Sequence, residues 1–163
     1  MNSPLDQTFL QQVNQHLGIA HKVARAYFSD AHEREDALQE MMFQLWRSYS
    51  SFNGHSKFST WMYSVCLNTA LTYQRKLKKS SSDYLRDEHM QIADADRHED
   101  EMLNLLFQTI ATLSPINKAL VLLYLEDLSY DEIARITGVS KANVSVRLVR
   151  IKRELEEKMK KLS

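Results

Sequence analysis

The chain has 163 residues, 21 basic and 21 acidic side chains, and only 3 glycines and 2 prolines. Sheet proteins need glycine, proline and asparagine for their turns, so this scarcity argues against a sandwich, a barrel or a Rossmann fold. Hydrophobic residues make up 44%, enough for a core, but the longest apolar run, Ala119 to Leu125, is far short of the roughly 20 residues of a membrane span.

The zero net charge hides segregation. Residues 1–79 carry 9 basic and 6 acidic side chains, residues 80–100 carry 2 and 7, and residues 101–163 carry 10 and 8. From Arg135 to Lys161 the count is 9 basic to 3 acidic. One cysteine, Cys66, cannot form an internal disulfide, and the N-terminus MNSPLDQTFLQQ lacks the pattern of a signal peptide. A cytoplasmic location is therefore expected.

The first helical pattern is Phe9, Val13, Leu17, Ala20, Ala24 and Tyr27, at steps of three and four. Ser29-Asp30 interrupts it. A second pattern follows with Ala37, Leu38, Met41, Met42, Leu45, Trp46 and Tyr49; Trp46 reads as core. Its opposite face carries Arg34, Glu35, Gln39, Glu40, Gln44 and Arg47. Residues 50–56 then form a turn around Gly54. A third helix is predicted to start near Ser59 or Thr60 and run through Trp61, also read as core, Val65, Cys66, Ala70 and Tyr73 into a basic last turn, where cations suit the helix dipole. Residues 80–100 lose the periodicity and read as an acidic linker, with a short helix around Tyr84–Met90 as the alternative. Beyond it, Met102, Leu103, Leu106, Ile110 and Leu113 mark a further amphipathic helix. Ser114 caps the next, with Pro115 at its first position and Ala119, Leu120, Leu122, Leu123 and Leu125 as its apolar residues. The expected fold is all-α: a domain over 1–79, a linker over 80–100 and a domain over 101–163.

The most informative stretch is residues 128–155. Ser129 and Glu132 have the spacing of a capping box. Ile133 and Ile136 face inward, and Ala134 is small enough for a second helix to cross closely. Gly138 stands where one helix must end and the chain turn through the left-handed region. Val139 follows as a buried plug, and Ser140 caps a new helix with an inner face of Val144, Leu148, Ile151 and Leu155. Two helices joined by a short glycine-bearing turn form a helix-turn-helix. The outer face of the second helix carries Ala142, Ser145, Val146, Val149 and Arg153, with Asn143 and Arg150 beside them. Small residues allow close approach to base edges, valine can touch a thymine methyl, and asparagine can pair with adenine. Lys141, Arg147, Arg150 and Lys152 suit phosphates. The competing reading is a plain helical hairpin in which Val146 and Val149 fill a core.

Residues 36–47, DALQEMMFQLWR, followed by FNGHSKFSTWMY and NTALTYQRK, form a second constellation. It resembles the bacterial sigma factors of the extracytoplasmic-function group. Asp36, Gln39, Glu40 and Trp46, then Phe52 and Phe58, then Ser59-Thr60-Trp61 match that family's pattern in order, and residues 128–153 look like its C-terminal motif. The resemblance covers residues 8–79 and 102–160. It implies an initiation factor whose partners are core RNA polymerase and promoter DNA, with an anti-sigma factor as a candidate third. Asp36, Gln39, Glu40, Gln44 and Arg47 would bind polymerase. The first domain would also open and read the −10 element, and the helix-turn-helix would read the −35 element. Physical reading agrees for the −10 site. Phe52, Asn53, His55, Lys57 and Phe58 offer aromatic and polar groups on a turn, suited to holding an unstacked base. Asn68, Thr72 and Arg75 lie at i, i+4 and i+7 on one face of the third helix. The two phenylalanines could equally staple the turn into the core. The family often has a basic or large residue where this chain has Ser145, and an aromatic or long one where it has Val149, so no −35 preference carries over.

No cofactor or metal is expected and catalysis is not. The six histidines form no H-E-x-x-H or E-x-x-H pattern, and three isolated glycines build no phosphate loop. The remaining alternative is a one-component helix-turn-helix repressor or activator. It would share the C-terminal motif but bind its duplex without polymerase, and would have no use for the phenylalanine turn and basic third helix.

Overall fold

The computed structural model describes residues 4–80 and 101–162. Among these the protein is built of helices: α1 (Pro4–Gln15), α2 (Leu17–Tyr27), α3 (Ala31–Ser48), α4 (Phe58–Ser80), α5 (Glu101–Ile110), α6 (Pro115–Leu125), α7 (Tyr130–Thr137) and α8 (Lys141–Leu162), with a 3₁₀ turn at Tyr49–Ser51. No described helix is long and apolar enough to cross a membrane. The chain divides into two compact units, Met1–Ala24 with Asp30–His89, and Arg25–Ser29 with Met90–Ser163. The expected acidic linker and the alternative helix at Tyr84–Met90 lie outside the described residues.

In the first unit α3 packs along α4. Ala37, Met41 and Leu45 recur every fourth residue and are fully buried, as are Met62, Cys66 and Ala70 of α4. Asp30 starts α3 by accepting from the His32 amide at 3.1 Å, an ordinary N-cap contribution of about 1 kcal/mol. The single first helix expected from periodicity is broken at His16. There the backbone tightens into three-residue steps, His16 N to Val13 O and Ile19 N to His16 O, both 3.0 Å. The imidazole Nδ1 donates to the Gln12 carbonyl at 2.9 Å, and its ring packs against Phe58 at 5.5 Å. The helix at residue 58 begins one position before the expected start.

Trp46 is not core. It is 51% exposed and meets Phe9 edge-on at 5.5 Å. The reason is angular: one residue turns a helix by about 100°, so Trp46 leaves the line of Ala37, Met41 and Leu45 that faces α4. Trp61, by contrast, belongs to a half-buried aromatic cluster with Phe52 at 5.2 Å and Phe58 at 5.4 Å.

Cys66 is fully buried, and burial pushes its thiol up to about 12. Only the thiolate reacts quickly, so the native protein should leave Cys66 unlabelled by a disulfide reagent at pH 8, while urea-unfolded protein should label fully. Rapid labelling without denaturant would show that α4 opens locally.

In the second unit α6 is the central helix. Residues 118–123 of it are all buried, and α7 and α8 pack on it while α5 packs on α8. Leu125 is 50% exposed rather than core. It ends α6, and the chain leaves through Asp127 in the left-handed region at φ 66°, which aspartate tolerates. Met102 and Leu103, in the first turn of α5, are exposed as well.

Candidate nucleic-acid and polymerase interfaces

The helix-turn-helix is formed by α7 and α8. Ser129 Oγ accepts from the Glu132 amide at 3.2 Å, and the Glu132 carboxylate accepts from the Ser129 amide at 3.0 Å, so both halves of the capping box are present. Gly138 ends α7 at φ 78°, its amide donating to the Ala134 carbonyl. Ser140 Oγ accepts from the Asn143 amide at 3.2 Å and starts α8. Ile133, Val144, Leu148, Ile151 and Leu155 are buried. Ile136 and Val139 are only half-buried, so Val139 is a partial plug.

No atom lies within 4 Å of where a Gly138 Cβ would stand. Gly138→Ala should therefore cost only the backbone strain of an L-residue in the left-handed region, about 1–2 kcal/mol. A urea titration should show a lowered midpoint with an unchanged slope; an unchanged midpoint would mean the turn relaxes to another conformation.

The outer face of α8 is open. Val146 is 50% and Val149 56% exposed. Within this unit no described neighbour buries these two valines, as the competing hairpin reading requires. Lys141, Asn143, Arg147 and Arg150 are exposed and Ser145 is half-buried. Lys141 pairs with Asp131 at 3.3 Å, both ends solvated, so the pair is weak and can exchange. Lys152, also exposed, lies over the Tyr124 ring at 4.1 Å, a contact of about 0.5–1 kcal/mol at an exposed site. Arg147 Nη1 donates to Asn117 Oδ1 at 3.3 Å. Asn117, on α6, lies outside the pattern from which the helix-turn-helix is legible.

On the first unit, Asp36, Glu40, Gln44 and Arg47 follow one flank of α3 at steps of four, four and three. Asp36, Gln39 and Arg47 are exposed; Glu40 and Gln44 are half-buried, with Gln44 Nε2 donating to Glu40 Oε1 at 3.0 Å. These two residues share a groove between α3 and α4 with Asn68, Thr72, Tyr73 and Lys76. Residues expected to serve polymerase and residues expected to serve the −10 element thus line one groove. Arg75, exposed, is not among its lining residues. The Tyr73 hydroxyl is held above its usual range first by burial and then by the carboxylates of Asp36, Glu33 and Glu40. The groove's α3 side is accordingly acidic.

The turn between α3 and α4 presents Asn53, His55 and Lys57 to solvent. Asn53 Oδ1 accepts from the His55 amide at 3.1 Å, and Gly54 holds φ 78°, which fixes a tight polar turn. The two phenylalanines are not free stacking platforms here. Phe58 is 8% exposed and Phe52 is half-buried, the rings meeting edge-on at 5.8 Å. The expectation that Phe58 touches a base is corrected: it anchors the turn, because Tyr49, Phe52, Trp61 and His16 surround it.

Comparison with known proteins adds to this geometry. Sigma-70 region 2 matches residues 12–80, and Sigma-70, region 4 matches residues 103–155. An ECF RNA polymerase sigma-E factor of Haemophilus influenzae is 32% identical over 143 residues, covering 78% of this chain and 75% of that protein. The Escherichia coli K12 protein of the same description is 28% identical over 158 residues, covering 87% and 83%. Among solved structures, the sigma factor RpoE in its co-crystal with the anti-sigma factor NepR from Bartonella quintana superposes with a TM-score of 0.78 at 23% identity, covering 94% of this chain and 98% of that one. CnrH, in complex with the cytosolic domain of CnrY, gives 0.65 at 19% identity, covering 96% and 90%. These two structures share the fold, and the matched regions contain the α3–α4 groove, the turn between those helices and the helix-turn-helix. The chain belongs to the extracytoplasmic-function (ECF) sigma factors of RNA polymerase.

Proposed function

We propose that α8 lies in the major groove of the −35 element, that the α3 flank engages core RNA polymerase, and that the turn after α3 with the outer face of α4 handles the −10 element. The observation that carries this reading is the outer face of α8: two half-exposed valines and a serine, flanked by Asn143, Arg147 and Arg150, on a helix whose opposite side is fully buried. A merely solvated helix has no need of such a face. In this reading Asn143, Ser145, Val146 and Val149 read bases, and Lys141, Arg147 and Arg150 hold phosphates. Asn53, His55 and Lys57, with Asn68, Thr72 and Arg75, serve the −10 strand, while Phe52 and Phe58 shape the turn that presents them.

Residues 1–79 would form the polymerase and −10 domain, residues 101–163 the −35 domain, and the acidic segment 80–100 their connection. The chain acts by binding and does no chemistry of its own, in the cytoplasm where core polymerase works. An anti-sigma factor is a third partner, by analogy with the NepR co-crystal.

The test is transcription in vitro. Core polymerase alone should give no discrete transcripts from a promoter library, and adding this protein should switch on initiation at a defined set. Tight binding to a bare duplex with no effect on polymerase would instead identify a one-component regulator.

A further inference from the structure

We propose that Asn117 of α6, outside the helix-turn-helix, is a DNA-backbone contact that completes a phosphate-gripping groove with Arg147 and Arg150. The inference rests on the reading that α8 docks on the −35 element.

Asn117 is placed by its own helix. Its amide donates to Ser114 Oγ at 3.3 Å, within the cap that begins α6. Its side chain then reaches α8, where Oδ1 accepts from Arg147 Nη1 at 3.3 Å. A guanidinium has only donors, so the oxygen end of the carboxamide must face it. The other end of the carboxamide is an NH₂ group with two donors, and it has no partner among the described residues.

That free end borders an open groove of about 390 Å³ lined by Asn117, Asn143, Val146, Arg147 and Arg150. No carboxylate lines it. The Arg150 guanidinium and the Asn143 side chain likewise have no hydrogen-bond or ion-pair partner among the described residues. The groove therefore offers many donors, two full positive charges and a single apolar side chain. An oxyanion with several acceptor oxygens fits that set, and a phosphodiester is the oxyanion that a duplex brings to the flank of a groove-bound helix. The position agrees. Arg147 stands about 60° round α8 from the buried Val144, so the groove runs along the flank of α8 toward α6, with Asn143 and Val146 at its border with the outer face. Asn117 would act twice: it holds the Arg147 fork in place before binding, and it donates to the phosphate itself.

The test uses full-length protein assembled with core polymerase, a labelled promoter duplex and binding measured across a salt series. Asn117→Ala should weaken every promoter alike by about tenfold, the size of a lost hydrogen bond to a charged group. Asn117→Asp is near-isosteric and keeps an acceptor for Arg147, so it reports even where alanine packs poorly. Its carboxylate would face the phosphate, and binding should fall further than with alanine. Thermal melts and retained core binding check each variant. If Asn117→Asp binds as wild type, Asn117 only positions Arg147 and the contact is overturned. If both variants bind as wild type while Arg147→Ala and Arg150→Ala weaken binding, the inference fails and the docking of α8 stands. If the arginine variants also bind normally, the docking reading itself fails, and this inference with it.

Discussion

Glu40→Arg is expected to abolish holoenzyme formation while leaving the fold intact. The fold of α3 rests on Ala37, Met41 and Leu45, all fully buried against α4. Glu40 lies on the flank, half-buried, and accepts from Gln44 at 3.0 Å. Replacing it removes an i,i+4 contact worth only about 0.5 kcal/mol to the helix, so the melting curve should hardly move. The interface effect is different in size. Truncating a hot-spot residue costs about 2–4 kcal/mol, and reversing its charge adds repulsion against whatever cation the partner aligns there. Loss of core binding by more than about a hundredfold is the expectation. A pull-down with core polymerase, paired with a melt of the free protein, measures both. The shared groove makes the competing outcome concrete, because Asn68 and Thr72 line it with Glu40 and Gln44. If the variant captures core polymerase normally but no longer opens promoters, the groove serves the −10 strand and the polymerase surface lies elsewhere, with the exposed Phe43 and Trp46 of α3 as the next place to look.

The parts of the molecule that could be read from the sequence are those whose cause is local. The capping box, the left-handed glycine and the four-three-four spacing of Val144, Leu148, Ile151 and Leu155 each act within about one or two turns of chain, and each stands in the structure as expected. The family pattern of residues 36–61 was legible for the same reason: its residues follow one another in order. What escaped depends on the neighbours a side chain meets. An apolar stripe says which side of a helix is greasy but not how wide the covering helix is, so the stripe predicts Trp46 as core while packing buries the line through Met41 and leaves Trp46 51% exposed. The break at His16 coincides with a ring packed on Phe58, far along the chain. Phe52 and Phe58 leave two readings open in the sequence, and only packing distinguishes them: Phe58 is buried while Phe52 is half-buried. Asn117 carried no signal at all, because its partner Arg147 is brought to it only when α8 packs on α6.

Substitutions on α8 should separate into two classes when a promoter library is transcribed with each variant. Arg147→Ala should lower output from all promoters alike and reduce the salt slope of binding by about one unit, because one phosphate loses its cation and one counterion fewer is released. It should not change which −35 sequences rank highest. Val149→Arg and Ser145→Arg should instead reorder the ranking. A side chain correctly paired to a base edge contributes about 1–3 kcal/mol of discrimination, or roughly ten- to a hundredfold between promoters. Arginine in a major groove seeks the two acceptors of guanine, so both variants should raise the share of guanine at one −35 position. Stability does not confound the comparison at residue 149, since Val149 is 56% exposed and its replacement disturbs no core contact. Ser145 is half-buried, and its variant needs a melt beside the transcription assay. An unchanged ranking with Val149→Arg and Ser145→Arg, in protein that still melts normally, would mean that this face does not touch bases. The exposed valines would then need a protein partner rather than a duplex to account for them.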